Sequence, residues 1–282
     1  MPIDTAAEKL LMTKGNGLPS INTIIRKHNL IAKKSLGQNY LLDTNMSKKI
    51  VKSAGKINDC DILEIGPGPG SLTRSILDSG ARKVVLIEKD KQFVKPLNQL
   101  KTLFPNKIEL IFSDVLSLDI ESLVTPPVKV ISNLPYNVGT QVLVNFLTGT
   151  NWPPYWKTLT LMFQSEVAER LIAHPNTKAY GRLTILTQWR AKAKVLFGVP
   201  RDVFFPKPKV DSSIIQIEAL PRPRYPVDIN YLQLITQKAF RHRRKMLRQS
   251  LKLEFPNIKD ILNEIDASPT CRPENLSVDQ FC

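Results

Sequence analysis

The stretch DILEIGPGPGSLTRSILDSG, residues 61–80, constrains this chain more than any other. Ile62, Leu63 and Ile65 form a short apolar run that reads as a buried strand. Three glycines and two prolines follow, then an amphipathic pattern through Leu72, Ile76 and Leu77 that Gly80 ends. Strand, glycine loop and helix, in that order, open the nucleotide-binding half of a doubly wound α/β fold. The dinucleotide fingerprint is G-x-G-x-x-G. Here Gly66, Gly68 and Gly70 come early, and Ser71 holds the third glycine's place. Nor does the loop contain the Gly-Lys-Ser/Thr of a phosphate cradle. It suits a ligand that the backbone approaches closely, and is not built for a pyrophosphate. The plain alternative is a tight turn with no ligand.

The alternation continues downstream. KVVLIEKD, IELIFSDV, VKVISN and TLTLMFQ read as further strands, and FVKPLNQLKTLF as a helix strained by Pro96. EVAERLIA is helical by composition. Continuous apolar strands separated by helices predict a parallel sheet covered on both faces. Upstream, a short helix is expected near Ile21–Ile31, a loop over residues 33–43, and a helix from Thr44 to about Ser53, capped by Asp43 or Thr44. After Tyr180 the rhythm changes. AKVLFGV and SSIIQIEAL are too close for a crossover helix and predict an antiparallel pair at the sheet edge. Pro221, Pro223 and Pro226 mark a linker, and the tail beyond it is basic and mainly helical. The expected organisation is an α/β domain over residues 1–222, with a doubly wound Rossmann-like sheet, and a small, mainly helical basic domain over 223–282.

Successive strand ends carry polar groups. Glu88 ends the second strand, where a carboxylate can accept from both hydroxyls of a ribose. Asp114 ends the third, placed to accept from an adenine amine, and Asn133 ends the fourth. Any one of these could be a helix cap. Together, at the carboxyl edge where such sheets bind ligands, they predict a ligand with adenine and ribose but no phosphate, S-adenosylmethionine.

The fourth strand runs into ISNLPYNVG, residues 131–139. The plain reading is a turn; the sharper one is a tip that grips a flat ring carrying an amine, which is a poor nucleophile when its lone pair is delocalised into the ring. Acceptors on its protons can turn it pyramidal and aim it. Asn133 offers a side-chain oxygen. Pro135 pushes Leu134 to an extended conformation that presents its carbonyl outward, and adds no competing N–H. Tyr136 supplies a flat face for a base, a stack that contributes roughly 1–3 kcal/mol. No strong general base is required, and positioning carries the reaction.

Charge supports a polyanionic partner. Forty Lys and Arg against 25 Asp and Glu give +15. Cys60, Cys271 and Cys282 are scattered, and His28, His174 and His242 form no ligand pair, so a disulfide framework, a zinc site or histidine chemistry is not expected. No apolar run is long enough to cross a membrane, and Asp4 and Glu8 fit poorly with a transit peptide. A cytoplasmic monomer is expected. In the tail, Arg241, Arg244, Lys245 and Arg248 fall near one face of a continuous helix, with Phe240, Leu247 and Leu251 inward, and predict an RNA contact.

GQNYLLD, LEIGPGPGSLT, IEKD, SDV, NLPYN, EVAERL and VFFPKPKVDSS, in this order, resemble the motifs of the ribosomal RNA adenine dimethyltransferases (the KsgA family), and AFRHRRKMLRQSL resembles their C-terminal helix. The resemblance runs from about Lys33 to Leu251, and Tyr40 stands where Phe is usual. It implies that Asn39 and Leu41 contact the methyl donor with Gly66, Glu88, Asp114 and Asn133, and that Phe204 packs on the base. It also implies a substrate: two adjacent adenosines near the 3′ end of small-subunit rRNA, each dimethylated, within a pre-assembled small subunit. A large-subunit methyltransferase conferring antibiotic resistance is the nearest rival. EVAERL and RRKMLRQSL resemble the small-subunit enzyme more. A non-catalytic assembly or transcription factor and a nicotinamide oxidoreductase are rivals from other classes.

Overall fold

The computed structural model describes residues 18–282. The reading of Asp4 and Glu8 lies outside them. The strands are β1 (Tyr40–Leu41), β2 (Asp61–Ile65), β3 (Lys83–Glu88), β4 (Ile108–Phe112), β5 (Val128–Ser132), β6 (Trp156–Gln164), β7 (Ala191–Val199), β8 (Phe204–Phe205) and β9 (Ser212–Ala219). The helices are α1 (Ile21–Lys27), α2 (Thr44–Ser53), α3 (Ser71–Asp78), α4 (Val94–Leu103), α5 (Gly139–Thr148), α6 (Ser165–Ile172), α7 (Arg182–Arg190), α8 (Ile229–Arg241), α9 (Leu247–Ser250), α10 (Ile258–Glu264) and α11 (Val278–Phe281).

Seven strands form one sheet in the order β4-β3-β2-β5-β6-β9-β7. β4 through β6 are parallel, while β9 runs antiparallel to both β6 and β7. The edge pair expected from sequence is thus β9 and β7. Chain order reverses between β2 and β5, so their carboxyl ends flank the crevice where open α/β sheets bind ligands.

Alternate side chains feed two cores. Ile62, Val84 and Leu86 face one side, where Ile50, Ile76 and Leu97 of α2, α3 and α4 cover them. Leu63, Val85 and Ile87 face the other, under Leu143, Phe146 and Leu147 of α5. These strand residues are almost wholly buried, each contributing roughly 1.5–3 kcal/mol of hydrophobic stabilisation. Burial on both faces is why the strands read as unbroken apolar runs.

Pro96 does not strain α4. It is the third residue, in the first turn, where an amide N–H has no intrahelical partner to lose. The tail also differs from its sequence reading. The helix stops at Arg241, residues 242–246 turn, and α9 begins at Leu247. Arg243 holds the turn: it donates to Glu274 and to the carbonyls of Thr177 and Lys178. Arg241, Arg244, Lys245 and Arg248 therefore do not share one helical face. A third core joins the tail to α7. Ile185, Leu186 and Trp189 pack with Leu232, Leu247, Leu262 and Phe281.

Candidate active site

A single cavity gathers the glycine loop after β2, the ends of β3, β4 and β5, and the segment leading into β1. Asn39, Leu41, Gly66, Glu88, Asp114, Asn133, Leu134, Pro135 and Tyr136 all line it.

Gly66 and Gly68 have φ of 68° and 55°, the left-handed region that glycine adopts freely. At Gly66 space matters too, since a Cβ there would stand 3.3 Å from Pro135 Cδ. The donor-side loop and the NLPY tip therefore pack against each other. Glu88 is 5 % exposed. Its carboxylate accepts from the Gly68 N–H at 3.1 Å and the Asp90 N–H at 2.8 Å. Burial raises its pKa, and those bonds oppose the shift. Glu64 lies deeper and accepts from Thr73 Oγ1 at 2.7 Å. Burial, the Thr73 bond opposing it, and the nearby Glu88 charge together push its pKa up to about 8.

Asp114 caps the turn after β4, accepting from the Leu116 N–H at 3.0 Å. Lys89 bonds its other oxygen at 2.7 Å and holds its carboxyl below the usual range. Asn133 Nδ2 donates to the Asn39 carbonyl at 3.4 Å. A carbonyl can only accept, so this bond sets the amide's orientation and leaves Oδ1 on the other side. In the Pro135–Gly139 turn the N–H groups of Val138 and Gly139 both bond Pro135 O, which leaves the Leu134 carbonyl outside the turn. Tyr136 Oη meets Ser212 Oγ at 2.6 Å, which pins the ring. Burial raises the phenol's pKa against that bond.

Sequence reasoning missed the strap before β1. Lys33 Nζ and Gln38 Nε2 reach the two oxygens of Asp90 at 2.8 and 2.9 Å. Gln92 clasps the backbone of Ile31 with both ends of its amide. Burial would raise Asp90, and the bonds from Lys33, Gln38 and Gln92 outweigh it, holding the carboxyl low. The quoted motifs GQNYLLD and IEKD contain Gln38 and Asp90, so the signal was present, but only the fold pairs them. Ser71 was likewise read only as a displaced glycine; its hydroxyl donates to the Leu41 carbonyl.

Phe204 is not in the cavity. It is 5 % exposed and packs in the core, while the next ring, Phe205, is 54 % exposed. Both sit on β8, paired with β1 as Leu41↔Phe204 and Tyr40↔Phe205. The ring assigned to the base by resemblance is thus held inward in this conformation. Arg241, Arg244, Lys245 and Arg248 also lie outside the cavity lining. The first three are exposed and Arg248 is half-buried. No cluster of metal-ligating side chains occurs among the described residues, and no helix there is long and apolar enough to cross a membrane.

The lining suits a nucleoside donor. Glu64, Glu88 and Asp114 supply three carboxyl groups, and the sole cation of the lining among the described residues, Lys89, is paired with Asp114. A triphosphate or dinucleotide would find no unpaired cation there, whereas a cationic adenosyl group would find the Glu88 carboxyl. Fold and cavity together define a Rossmann-like methyltransferase. The sequence pattern of ribosomal RNA adenine dimethylases matches residues 29–282, and the chain belongs to that family. It is 50% identical to ribosomal RNA small subunit methyltransferase A of Ruegeria sp. (strain TM1040), over 96% of this chain and 97% of that one. Its identity to the protein of the same name from Roseobacter denitrificans is 52%, over 94% and 95%. Among solved structures, a dimethyladenosine transferase from Plasmodium falciparum superposes with a TM-score of 0.70 at 24% identity, covering 85% of this chain and 93% of that one. The 23S rRNA methyltransferase ErmE gives 0.62 at 25%, covering 86% and 96%.

Proposed function

We propose that this chain transfers methyl groups from S-adenosylmethionine to the exocyclic amines of two adjacent adenosines near the 3′ end of small-subunit (16S) rRNA, each becoming dimethyladenosine. One observation carries the reading. A cavity with three carboxyl groups and a paired lysine shares its wall with an Asn-Leu-Pro-Tyr tip in which Asn133 donates through Nδ2 and the turn closes on the Pro135 carbonyl, not on Leu134.

When bound, the donor supplies an electrophilic methyl group on a sulfonium. The protein's part is to hold and aim. Glu88 accepts from the ribose, Asp114 receives the adenine amine beside the glycine loop, and Asn39 and Leu41 close the site. Asn133 Oδ1 and the Leu134 carbonyl accept from the target amine, so its lone pair turns out of the ring. Tyr136, fixed through Ser212, stacks on the extruded base. Extrusion costs a few kcal/mol, which contacts elsewhere on the RNA must offset. Arg241, Arg244, Lys245 and Arg248 supply charge for this, as a cluster around a turn. Phe204 reaches the base only when β8 shifts from its inward position. Residues 1–222 act as the catalytic unit and 223–282 as the unit that grips RNA. The enzyme works as a monomer in the cytoplasm on a pre-assembled small subunit.

The relatives at 50% and 52% identity carry small-subunit names, whereas the 23S enzyme stands at 25%. This favours the small subunit over the large. Mapping methylated adenosines after incubation with unmodified small subunits and labelled donor tests the proposal. Label on two neighbouring adenosines near the 3′ end is expected. Label only on large subunits would move the target, and donor binding without transfer would leave an assembly factor.

A further inference from the structure

The tail is not the only strongly basic surface. Lys48, Lys49 and Lys52 project from α2, and Lys192 and Lys194 from β7, all exposed. The two elements meet. Lys49 Nζ sits 4.2 Å from the centre of the Phe197 ring on β7. Lys194 pairs in register with Gln216 of β9, so both side chains leave the same face. Gln216 Nε2 reaches the Ser53 carbonyl at the end of α2 at 3.5 Å. Lys192 is on that face too, two residues away and opposite Glu218. None of the five lysines forms an ion pair within 4.0 Å among the described residues.

We infer that α2 and the edge of β7 form a second RNA-binding surface, one that takes the phosphate backbone of a double-stranded RNA segment beside the target loop. The inference rests on the function proposed above. On the face carrying Lys192 and Lys194 the surface is rich in ammonium donors and poor in exposed apolar anchors, since Lys49 lies over Phe197 and the exposed Val195, opposite Ile215, is on the other face. Donors of this kind suit phosphates, which are gripped without reading sequence. A protein partner would need an apolar centre. Edge strands are often guarded by lysines against pairing with other chains. That explains Lys192 and Lys194, but not the lysines of α2, which are on no edge. The location also fits. α2 starts three residues after Leu41, and β7 ends five residues before β8, so both adjoin the β1–β8 ribbon at the cavity. From there α2 extends about 15 Å.

The test uses the full chain with Lys48→Gln, Lys52→Gln and Lys194→Gln combined, none of them in the cavity. Affinity for unmodified small subunits is measured across a salt series, with donor-analogue affinity and the melting temperature as controls. The expected result is at least a ten-fold loss of subunit affinity near physiological salt. The plot of log affinity against log salt should become shallower by about 2–3, close to 0.9 for each phosphate no longer neutralised. Donor affinity and turnover at saturating subunits should hold. Unchanged affinity and slope would overturn the inference. So would self-association of the variant with subunit affinity intact, which would make the lysines edge guards only. Loss of binding to vesicles of anionic phosphatidylglycerol with subunit affinity retained would point to a membrane surface and overturn it as well. Wild-type protein that fails to methylate small subunits would sink the proposed function instead. The same salt series on a plain RNA duplex would then decide the surface by itself.

Discussion

The two walls of the cavity differ in how finished they are. On the donor wall Glu88 and Glu64 are buried, as is Asp90 outside the lining, and each already holds hydrogen-bond partners. A buried carboxylate left unsatisfied is costly, so this wall is stiff before any ligand arrives. On the target wall Asn133 uses one end of its amide, the Leu134 carbonyl stands outside its turn, and Phe204 is turned into the core. The donor half is preformed. The target half has its acceptors in place and its aromatic clamp half assembled, which fits a substrate that arrives as a large RNA and brings its own binding energy.

The sharpest way to break this contrast is Asn133→Ala. Turnover is expected to fall by roughly a hundred-fold or more, the range seen when one oriented hydrogen-bonding group is removed from a transition state. Donor affinity, measured by calorimetry, should stay within several-fold. Near-normal turnover would mean that the target wall does not aim the amine. Next in size is Tyr136. Replacement by Ala removes the stack and should cost about ten- to a hundred-fold in kcat/KM, from roughly 1–3 kcal/mol. Replacement by Phe keeps the ring and loses only the Ser212 bond, worth about 1 kcal/mol. If the two variants behaved alike, the phenol would matter and the stack would not. Charge reversal of Arg244 and Arg248 should weaken subunit binding and flatten its salt dependence; unchanged binding across salt would remove the tail from the interface.

The smallest effect tests the stiff wall itself. Burial lifts Glu64 to about 8 from an ordinary value of 4.5. A raised pKa means the native state holds the proton more tightly than the unfolded chain. The associated stability is therefore complete below about 4.5 and is lost as pH rises through about 8. Glu64→Gln keeps an acceptor for Thr73 and has no charge to bury. It should melt a few degrees higher than wild type at pH 8 and nearly the same at pH 4.5. A constant difference between the two pH values would show that Glu64 ionisation is not linked to folding.

Much of the sheet was legible because its strands are buried on both faces and its caps are local. Asp43 does cap α2, accepting from the Met46 N–H. The strand-end residues Glu88, Asp114 and Asn133 could be found because a doubly wound sheet sends every carboxyl end to one edge. What escaped was set by distant partners. α7 is buried through most of its length, so it shows no apolar stripe to read. The turn at residues 242–246 depends on Thr177, Lys178 and Glu274, and no local pattern in KAFRHRRKMLRQSLK reveals it. The strap needs Asp90, more than fifty residues from Lys33 and Gln38. Phe204 and Phe205 are adjacent and chemically identical, and only the register of β8 against β1 turns one in and the other out.

The core shared by α7 and the tail has a practical corollary. The proline-rich segment near residue 222 looks like a natural place to cut the gene. Trp189 donates its indole N–H to Tyr225 O, and Trp152 donates its own to Leu220 O, so that segment is fastened to the body on both sides of the cut. A fragment ending there would bare Tyr180, Ile185, Leu186 and Trp189 to solvent. An exposed patch of that kind invites aggregation. Anyone wishing to study methyl transfer without the tail would do better to blunt its charges in the intact chain than to remove it.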